Sequence, residues 1–355
     1  MTDNCLKLTA YFGERQRTDG HFLAERLLAL YGREQVATSI MLRGSAGFGP
    51  RHQLRTDSSL SLSEDPPVAV AAVDTRAKIE GLVDAVVDLT PRGLVTVERA
   101  HLIDSDVAPR VGSDAVKLTI YVGRQERVQR SPAYLAVCDL LFRHGLDGAS
   151  AFLGVDGTAH GTRRRARFFG RNVDVPMMII AAGDADHVGR AVSELDGLLR
   201  RPLMTIERVR VCKRDGVVLA RPDTLPGADD RGRLLHQKLM IYTSEDSLVD
   251  GVPVHRALIR RLRETQNASG ATALRGMWGF HGSRPPHGDR LLQLTRRVPV
   301  TTIIVDTPAS IARSFDVVDE VTSRHGLVTS EMVPALASID TGTPRPRIEL
   351  ADWAY

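Results

Sequence analysis

Leu42-Arg43-Gly44-Ser45-Ala46-Gly47-Phe48-Gly49 is the stretch whose reading decides the fold of this 355-residue chain. It recurs, edited, as Leu274-Arg275-Gly276-Met277-Trp278-Gly279-Phe280-His281, and in degenerate form as Phe152-Leu153-Gly154-Val155-Asp156-Gly157-Thr158-Ala159. Each copy ends an apolar, strand-like run and opens a glycine-rich segment. Glycine at such a point lets the backbone take φ > 0 or lets a ligand approach the main chain. The copies are parts of a longer repeat. Lys7-Leu8-Thr9-Ala10-Tyr11 matches Lys117-Leu118-Thr119-Ile120-Tyr121 and Lys238-Leu239-Met240-Ile241-Tyr242. That lysine precedes the first loop glycine (Gly44, Gly154, Gly276) by 37, 37 and 38 residues. The proline of the next strand (Pro67, Pro176, Pro299) follows the glycine by 23, 22 and 23 residues. A threonine (Thr96, Thr205, Thr329) follows the proline by 29, 29 and 30. Four anchors kept in step three times mean three copies of one structural unit.

Within a unit the elements follow from period. Leu6 to Phe12 alternates as a strand does, and His21 to Tyr31 places Leu23, Leu27 and Leu30 on one helical face. Thr38 to Leu42 is a β-branched and apolar second strand, and Pro67 to Val73 a third. Asp74-Thr75 can cap a helix over Arg76 to Leu89, as Asp306-Thr307 can before Pro308, and Gly93 opens a last strand to Leu102. The order βαββαβ is the ferredoxin-like pattern, an α+β unit with helices on one sheet face. Val68, Val70 and Ala72 lie on one side of the third strand and Ala69, Ala71 and Val73 on the other, so both faces require cover. Three such sheets can cover one another. The expected architecture is an intramolecular pseudo-trimer, sheets inside and helices outside, that stays a monomer. The units are bounded at 1–105, 114–213 and 237–340, with a linker at 214–236, read as an exposed crossover from Lys213 to Gln237, and a tail at 341–355, whose Trp353 and Tyr355 suit docking on the body as well as a free terminus.

The totals exclude several classes. The formal net charge of +4 gives no reason to expect nucleic acid, and 43% hydrophobic with 25% charged residues is ordinary for a soluble globular protein. Three scattered cysteines, Cys5, Cys138 and Cys212, fit neither a disulfide framework nor a thiolate zinc site; with a polar Met1–Lys7 and no membrane-length apolar run, they point to the cytoplasm. There is no HExxH, no Gly-Lys-Ser/Thr phosphate loop and no G-x-S-x-G around Ser45, so no enzyme is expected.

The candidate chemistry lies in the repeated glycine segments. Gly44, Gly47 and Gly49 can free backbone N–H groups to nest an anion, and Arg43 and Arg275 can supply a forked charge-assisted contact. Gly276 and Gly279 repeat the arrangement, while Phe48 and Phe280 can pack on a base or anchor the loop in a core. The second copy offers Gly154, Gly157 and Thr158 but has Leu153 where the others have arginine; Arg163, Arg165 and Arg167 follow on one strand face. The Thr-x-Glu pairs Thr96/Glu98, Thr205/Glu207 and Thr329/Glu331 share a face. They suit either a ribose or base edge, or pairing with Lys7, Lys117 and Lys238 across neighbouring strands. His281, His287 and His160 lie near the loops without a metal-ligand spacing.

The anchors K-L-T-x-Y, L-R-G-x-x-G-F-G, Ser63-Glu64-Asp65-Pro66-Pro67-Val68 and G-L-V-T-x-E resemble the PII-like family known as domain of unknown function number 190. The resemblance covers roughly 6–103, 116–212 and 237–337. It implies a relative of the PII nitrogen-signalling proteins: a trimer-like sensor that binds an adenine nucleotide (ATP, ADP, AMP or cyclic AMP) in clefts between units. No covalent cofactor is implied. Family genes often neighbour fluoride exporters, which makes a protein or membrane-transporter partner an expectation. The alternative is a metal-responsive protein resembling the divalent-cation-tolerance family, which shares the fold.

Overall fold

The computed structural model describes residues 5–56, 65–103, 115–165, 175–200, 202–288, 298–340 and 348–353, with Arg165 as backbone alone. The first unit comprises β1 (Cys5–Gly13), α1 (Leu23–Arg33), β2 (Thr38–Phe48), β3 (Pro67–Thr75), α2 (Arg76–Leu89) and β4 (Gly93–Leu102). The second comprises β5 (Ala115–Gly123), α3 (Ala133–Arg143), β6 (Gly148–Leu153), β7 (Asp156–Ala159), β8 (Thr162–Arg165), β9 (Pro176–Asp184), α4 (Ala185–Leu198), β10 (Leu203–Arg208) and β11 (Arg210–Arg214). The third comprises β12 (His236–Ser244), α5 (Val254–Thr265), β13 (Ala271–Arg275), β14 (Trp278–His281), β15 (Pro299–Asp306), α6 (Pro308–Val321), β16 (Leu327–Val333) and β17 (Ala335–Ile339). The protein is therefore a mixed α+β, sheet-dominated chain of three repeated units, with six helices among the described residues. In each unit the first strand lies between the third and fourth, with the second outside the third, all antiparallel.

The helices form where the apolar period puts them. Leu23, Ala24, Leu27, Leu28, Leu30 and Tyr31 make the buried face of α1. The helix starts at Leu23 rather than His21, because Asp19 and Gly20 take positive φ and fold Arg17–Thr18 back on His21–Phe22. The side-chain cap expected at Thr75 is absent: Asp74 instead accepts from the Thr75 and Ala37 backbone N–H groups. Thr307 does cap α6, accepting from Ser310 N at 3.3 Å, with Pro308 in the first turn.

The two apolar faces of the third strands are both covered. Val68, Val70 and Ala72 pack under α1 and α2. Ala71 and Val73 meet Ile180, Ala182, Ile303 and Val305 of the other two units in one central core. A strand buried on both sides is thus explained by its own unit's helices on one face and strand residues of the other units on the other.

Two sets of strand pairings join the units, and each runs through all three. The fourth strands extend into their neighbours: the end of β4 pairs with β10, β11 with β16, and β17 with β4. The second strands extend the opposite way round: β2 pairs with β13, β7 with β2, and β14 with β6. Hence the segment after Leu42 is not an open loop. Strand β2 continues through Arg43 to Phe48, with a bulge at Ser45, because the edge of β13 supplies its partners. Period could not reveal a strand whose ladder lies on a neighbouring unit.

The crossover from Lys213 to Gln237 is largely exposed, as its polarity suggests, and is buried mainly at its ends. Lys213 is buried with its Nζ donating to Asp319 O at 2.7 Å, and Cys212 joins the third core, although Val217, Val218, Leu219 and Leu234 are exposed. Near the C-terminus, Ile348 and Leu350 pack on the first core and Ala351 N donates to Pro334 O at 2.8 Å. The Asp352 N–H donates to Asp229 Oδ2 at 2.8 Å. The segments 57–64, 104–114 and 166–174, and Tyr355, lie outside the described residues; with them go Ser63-Glu64 and Arg167.

Candidate functional site

The repeated glycines stand where units touch. A Cβ on Gly157 would come within 2.0 Å of Ser39 O, one on Gly279 within 2.1 Å of Ala149 O, and one on Gly47 within 2.6 Å of Ala271 O. In every case the obstacle is a main-chain carbonyl of the neighbouring unit. Gly44 and Gly276 instead abut a proline side chain of their own unit, Pro67 and Pro299, each at 2.8 Å from Cγ, and Gly154 comes within 2.3 Å of Pro176 O, also of its own unit. None of Gly44, Gly47, Gly49, Gly154, Gly157 or Gly276 has positive φ. All of these but Gly49, whose Cβ position has nothing within 4 Å, admit a close approach without left-handed backbone.

The two phenylalanines follow the same geometry. Phe48 is buried in the core of the third unit, and Phe280 in the core of the second, edge-on to Phe142 at 5.2 Å. At the third junction Thr158 takes this position, and its hydroxyl lies 3.0 Å from Ser39 Oγ. The extensions carrying Phe48 and Phe280 thus plug a neighbour's core, while the one carrying Thr158 is tied to the neighbouring strand by hydrogen bonds to Ser39.

The arginines at the strand ends are paired within their own units. Arg43 donates to Glu14, with Nε at 2.9 Å from Oε1, and Arg275 Nη2 donates to Glu245 Oε1 at 2.9 Å. Glu14 follows Gly13 at the end of β1, and Glu245 follows Ser244 at the end of β12. In the second unit Arg124 follows Gly123, and Leu153 stands where the others have arginine, so both members of the pair change together. Replacing Arg43 by alanine should cost less than about 1 kcal/mol of stability, as for other exposed ion pairs. Urea unfolding of R43A would measure it. Arg163 is held by Asp156, Nη2 to Oδ2 at 2.8 Å, and lies against Gly32 of α1.

The Thr-x-Glu motif resolves into a buried charge ring. Register sets Lys7 opposite Glu98, Lys117 opposite Glu207, and Lys238 opposite Glu331. Each lysine also reaches a glutamate of a neighbouring unit. Lys7 bonds Glu98 at 2.9 Å and Glu207 at 3.0 Å; Lys117 bonds Glu207 at 2.5 Å and also Glu331; Lys238 bonds Glu331 at 3.0 Å and also Glu98. Six alternating charges close on themselves where the three sheets meet. Burial opposes ionisation of Glu98, but Lys238, Lys7 and Lys117 hold its carboxyl well below the usual range. Burial likewise works against Lys7, where Glu207, Glu98 and Glu331 prevail and raise it. For Lys117 burial wins, with Lys238 and Lys7 adding repulsion, and its ammonium is weakened. The three glutamates lie close enough to share an ion, yet the lysines already neutralise them.

A cleft of about 310 Å³ opens between the first and third units. Its apolar wall comes from Phe12, Phe48, Leu94, Ile303, Val305 and Leu336. Arg51, Arg55 and Arg92 line it from the first unit, and His236, Ser269 and Thr307 from the third. Of the ligand-binding candidates named from sequence, Phe48 and Gly49 alone among the described residues line it. Arg51 and Arg55 follow β2, and Arg92 precedes the glycine that opens β4. No motif marked them; the readable signal was a cation beside an anchor glycine, in Pro91-Arg92-Gly93. Tyr11 also lines the cleft; burial, aided by Glu98, pushes its hydroxyl up to about 12. It therefore stays neutral and can donate a hydrogen bond.

Histidines lie outside this cleft as well. His281 and His287 have ring centroids 6.4 Å apart, and His281 is buried with its pKa lowered by burial. His255 is buried on α5, and burial, with Arg256 and Arg275, depresses it to about 3. Below about pH 6.5 the unfolded chain takes up a proton that the folded chain refuses. Folding stability should therefore fall between about pH 6.5 and 3, by up to about 1.4 kcal/mol per pH unit from this group. Comparing melting temperature against pH for the wild type and His255→Leu would reveal a shallower slope in the variant.

No helix among the described residues is long and apolar enough to cross a membrane. A UPF0166 protein of Aquifex aeolicus (strain VF5) is 32% identical over 106 residues, 29% of this chain and 97% of the relative, which therefore has the length of one unit. The model of the family DUF190, described as Uncharacterized ACR, matches residues 5–102, 115–211 and 236–335. Each match coincides with one βαββαβ unit, and the chain belongs to the DUF190 family as three tandem copies.

Proposed function

We propose that this chain is a PII-like sensor: three ferredoxin-like units folded as the covalent equivalent of a trimer. It binds a small anionic ligand, an adenine nucleotide, in the cleft between the first and third units. The observation that carries the reading is the cleft's composition: an apolar wall beside Phe48 and Leu94, with Arg51 and Arg92 at its mouth. A nucleotide presents that combination, a flat apolar base on one side and phosphates on the other. The opposed ladders that join every unit to both others support a monomer near 38.9 kDa. Fusion also lets the junctions differ, as Phe48, Thr158 and Phe280 do, so that one cleft can keep a ligand that the others lose.

In this reading the protein signals rather than catalyses. Ligand contacts bias the segment after Phe48, which leads from the cleft wall to the surface, and a protein partner reads the change. The three buried cysteines, none of them in a disulfide among the described residues, suit a reducing cytoplasm. Calorimetric titration with ATP, ADP, AMP and cyclic AMP tests the claim. Binding by at least one, weakened by roughly 1.5–3 kcal/mol in Arg92→Ala, is expected for a lost charged hydrogen bond. No heat at millimolar concentration of any of the four would overturn it.

A further inference from the structure

The mouth of the cleft already holds an anion, and the chain supplies it. Strand β17 pairs with β4 in a register that sets Ile339 opposite Gly93, so Asp340 arrives beside Arg92. Its carboxylate takes both arginines. Arg51 donates from Nε to Oδ2 at 3.2 Å and from Nη2 to Oδ1 at 3.1 Å, and Arg92 donates from Nε to Oδ1 at 2.9 Å. Arg51 comes from the chain that follows β2 in the first unit, and Asp340 from the end of the third. The contact therefore spans the cleft that the two units form.

The other acids on the lining and rim are committed elsewhere. Asp306 accepts from Ser269 N and Thr307 N, each at 2.7 Å, and Asp65 pairs with Arg55. A guanidinium fork that grips a carboxylate in two-point geometry is equally matched to two oxygens of a phosphoryl group.

We infer that Arg51 and Arg92 form a phosphoryl subsite and that Asp340 is its resident competitor. This rests on the cleft being the ligand site. An incoming phosphate must displace the carboxylate, so the affinity of the cleft is set low by the chain itself. Asp340 is half-exposed, and an ion pair of that kind is weak enough to be exchanged at modest cost. The device differs from an ordinary closing salt bridge in one respect: its removal strengthens binding instead of weakening it.

The test titrates the full chain with ATP and, separately, with inorganic pyrophosphate. Asp340→Asn removes the charge and keeps the shape, Asp340→Glu keeps the charge, and Arg51→Ala/Arg92→Ala removes the subsite. Asp340→Asn should bind either anion roughly threefold to tenfold more tightly than wild type. Asp340→Glu should resemble wild type, and the double arginine variant should lose binding. Melting curves confirm that each variant is folded. Equal or weaker binding of both anions by Asp340→Asn overturns the inference, as does no binding of either by that variant. Tighter pyrophosphate binding without any nucleotide binding sustains the competitor and ends the nucleotide reading. Nucleotide binding that is equal in wild type and Asp340→Asn does the reverse.

Discussion

Replacing Lys238 by methionine should cost about 3–5 kcal/mol of stability, the range for breaking a buried ion pair by removing one partner. Lys238 is enclosed and stands between Glu98 and Glu331. Without it, two buried carboxylates keep one lysine each, Lys7 for Glu98 and Lys117 for Glu331. The six positions should not be equivalent. Burial opposes every lysine, but Lys238 and Lys7 are raised by their glutamates while Lys117 is lowered. Lys117→Met should therefore cost clearly less than Lys238→Met. Adding Glu331→Leu to Lys238→Met removes a whole cross-strand pair and leaves Glu98, Lys7, Glu207 and Lys117 in alternation. That double variant should recover much of the loss, as apolar replacement of complete buried pairs does. Urea unfolding of the four proteins gives the answer, and equal losses for Lys117→Met and Lys238→Met would contradict the account. The ring also has a pH signature. The carboxyls of Glu98 and Glu207 are depressed, so their stabilisation is present above the ordinary carboxylate range, near pH 4.3, and is lost as pH falls through their lower folded values.

The second large effect concerns the glycines. Gly157→Ala should destabilise by about 2–3 kcal/mol or more, because the new methyl meets a neighbouring strand that cannot rotate away. The obstacle is Ser39 O, 2.0 Å from where that carbon would sit, with the Pro176 ring at 2.6 Å. Gly279→Ala, at 2.1 Å from Ala149 O, should behave alike. Gly49→Ala is the control: nothing lies within 4 Å of its Cβ position and its φ is not positive, so the change should stay within about 0.5 kcal/mol. If the glycines served only to cradle an anion, Gly157→Ala would leave the melting temperature unmoved.

Much of the unit was legible in the chain, and the junctions were not. Period and β-branching suffice for Leu23–Leu27–Leu30 or for Pro67–Val73, because those residues answer to their own unit's core. The repeat supplied the number of units, and two-sided apolar strands such as Val68–Val73 supplied the need for sheets to meet. The Lys/Glu ladder was readable as a cross-strand pair, Lys7 against Glu98, but its second bond, Lys7 to Glu207, crosses between units. Likewise a glycine in Gly47-Phe48-Gly49 announces close approach without saying to what. Main-chain atoms of another unit and a ligand leave the same mark in sequence. The cleft arginines escaped for the opposite reason: Arg51 stands beyond the glycine motif, Arg92 only precedes the repeated Gly93-Leu94-Val95-Thr96, and only the fold brings them together at Asp340.

A crystal structure of the full chain soaked with ATP should hold one nucleotide between the first and third units, its base against the wall formed with Phe48 and Leu94. Its phosphates should lie between Arg51 and Arg92, with Asp340 turned away. A nucleotide bound instead against the 154–165 or 276–281 segments, with Asp340 still clasping both arginines, would contradict this reading.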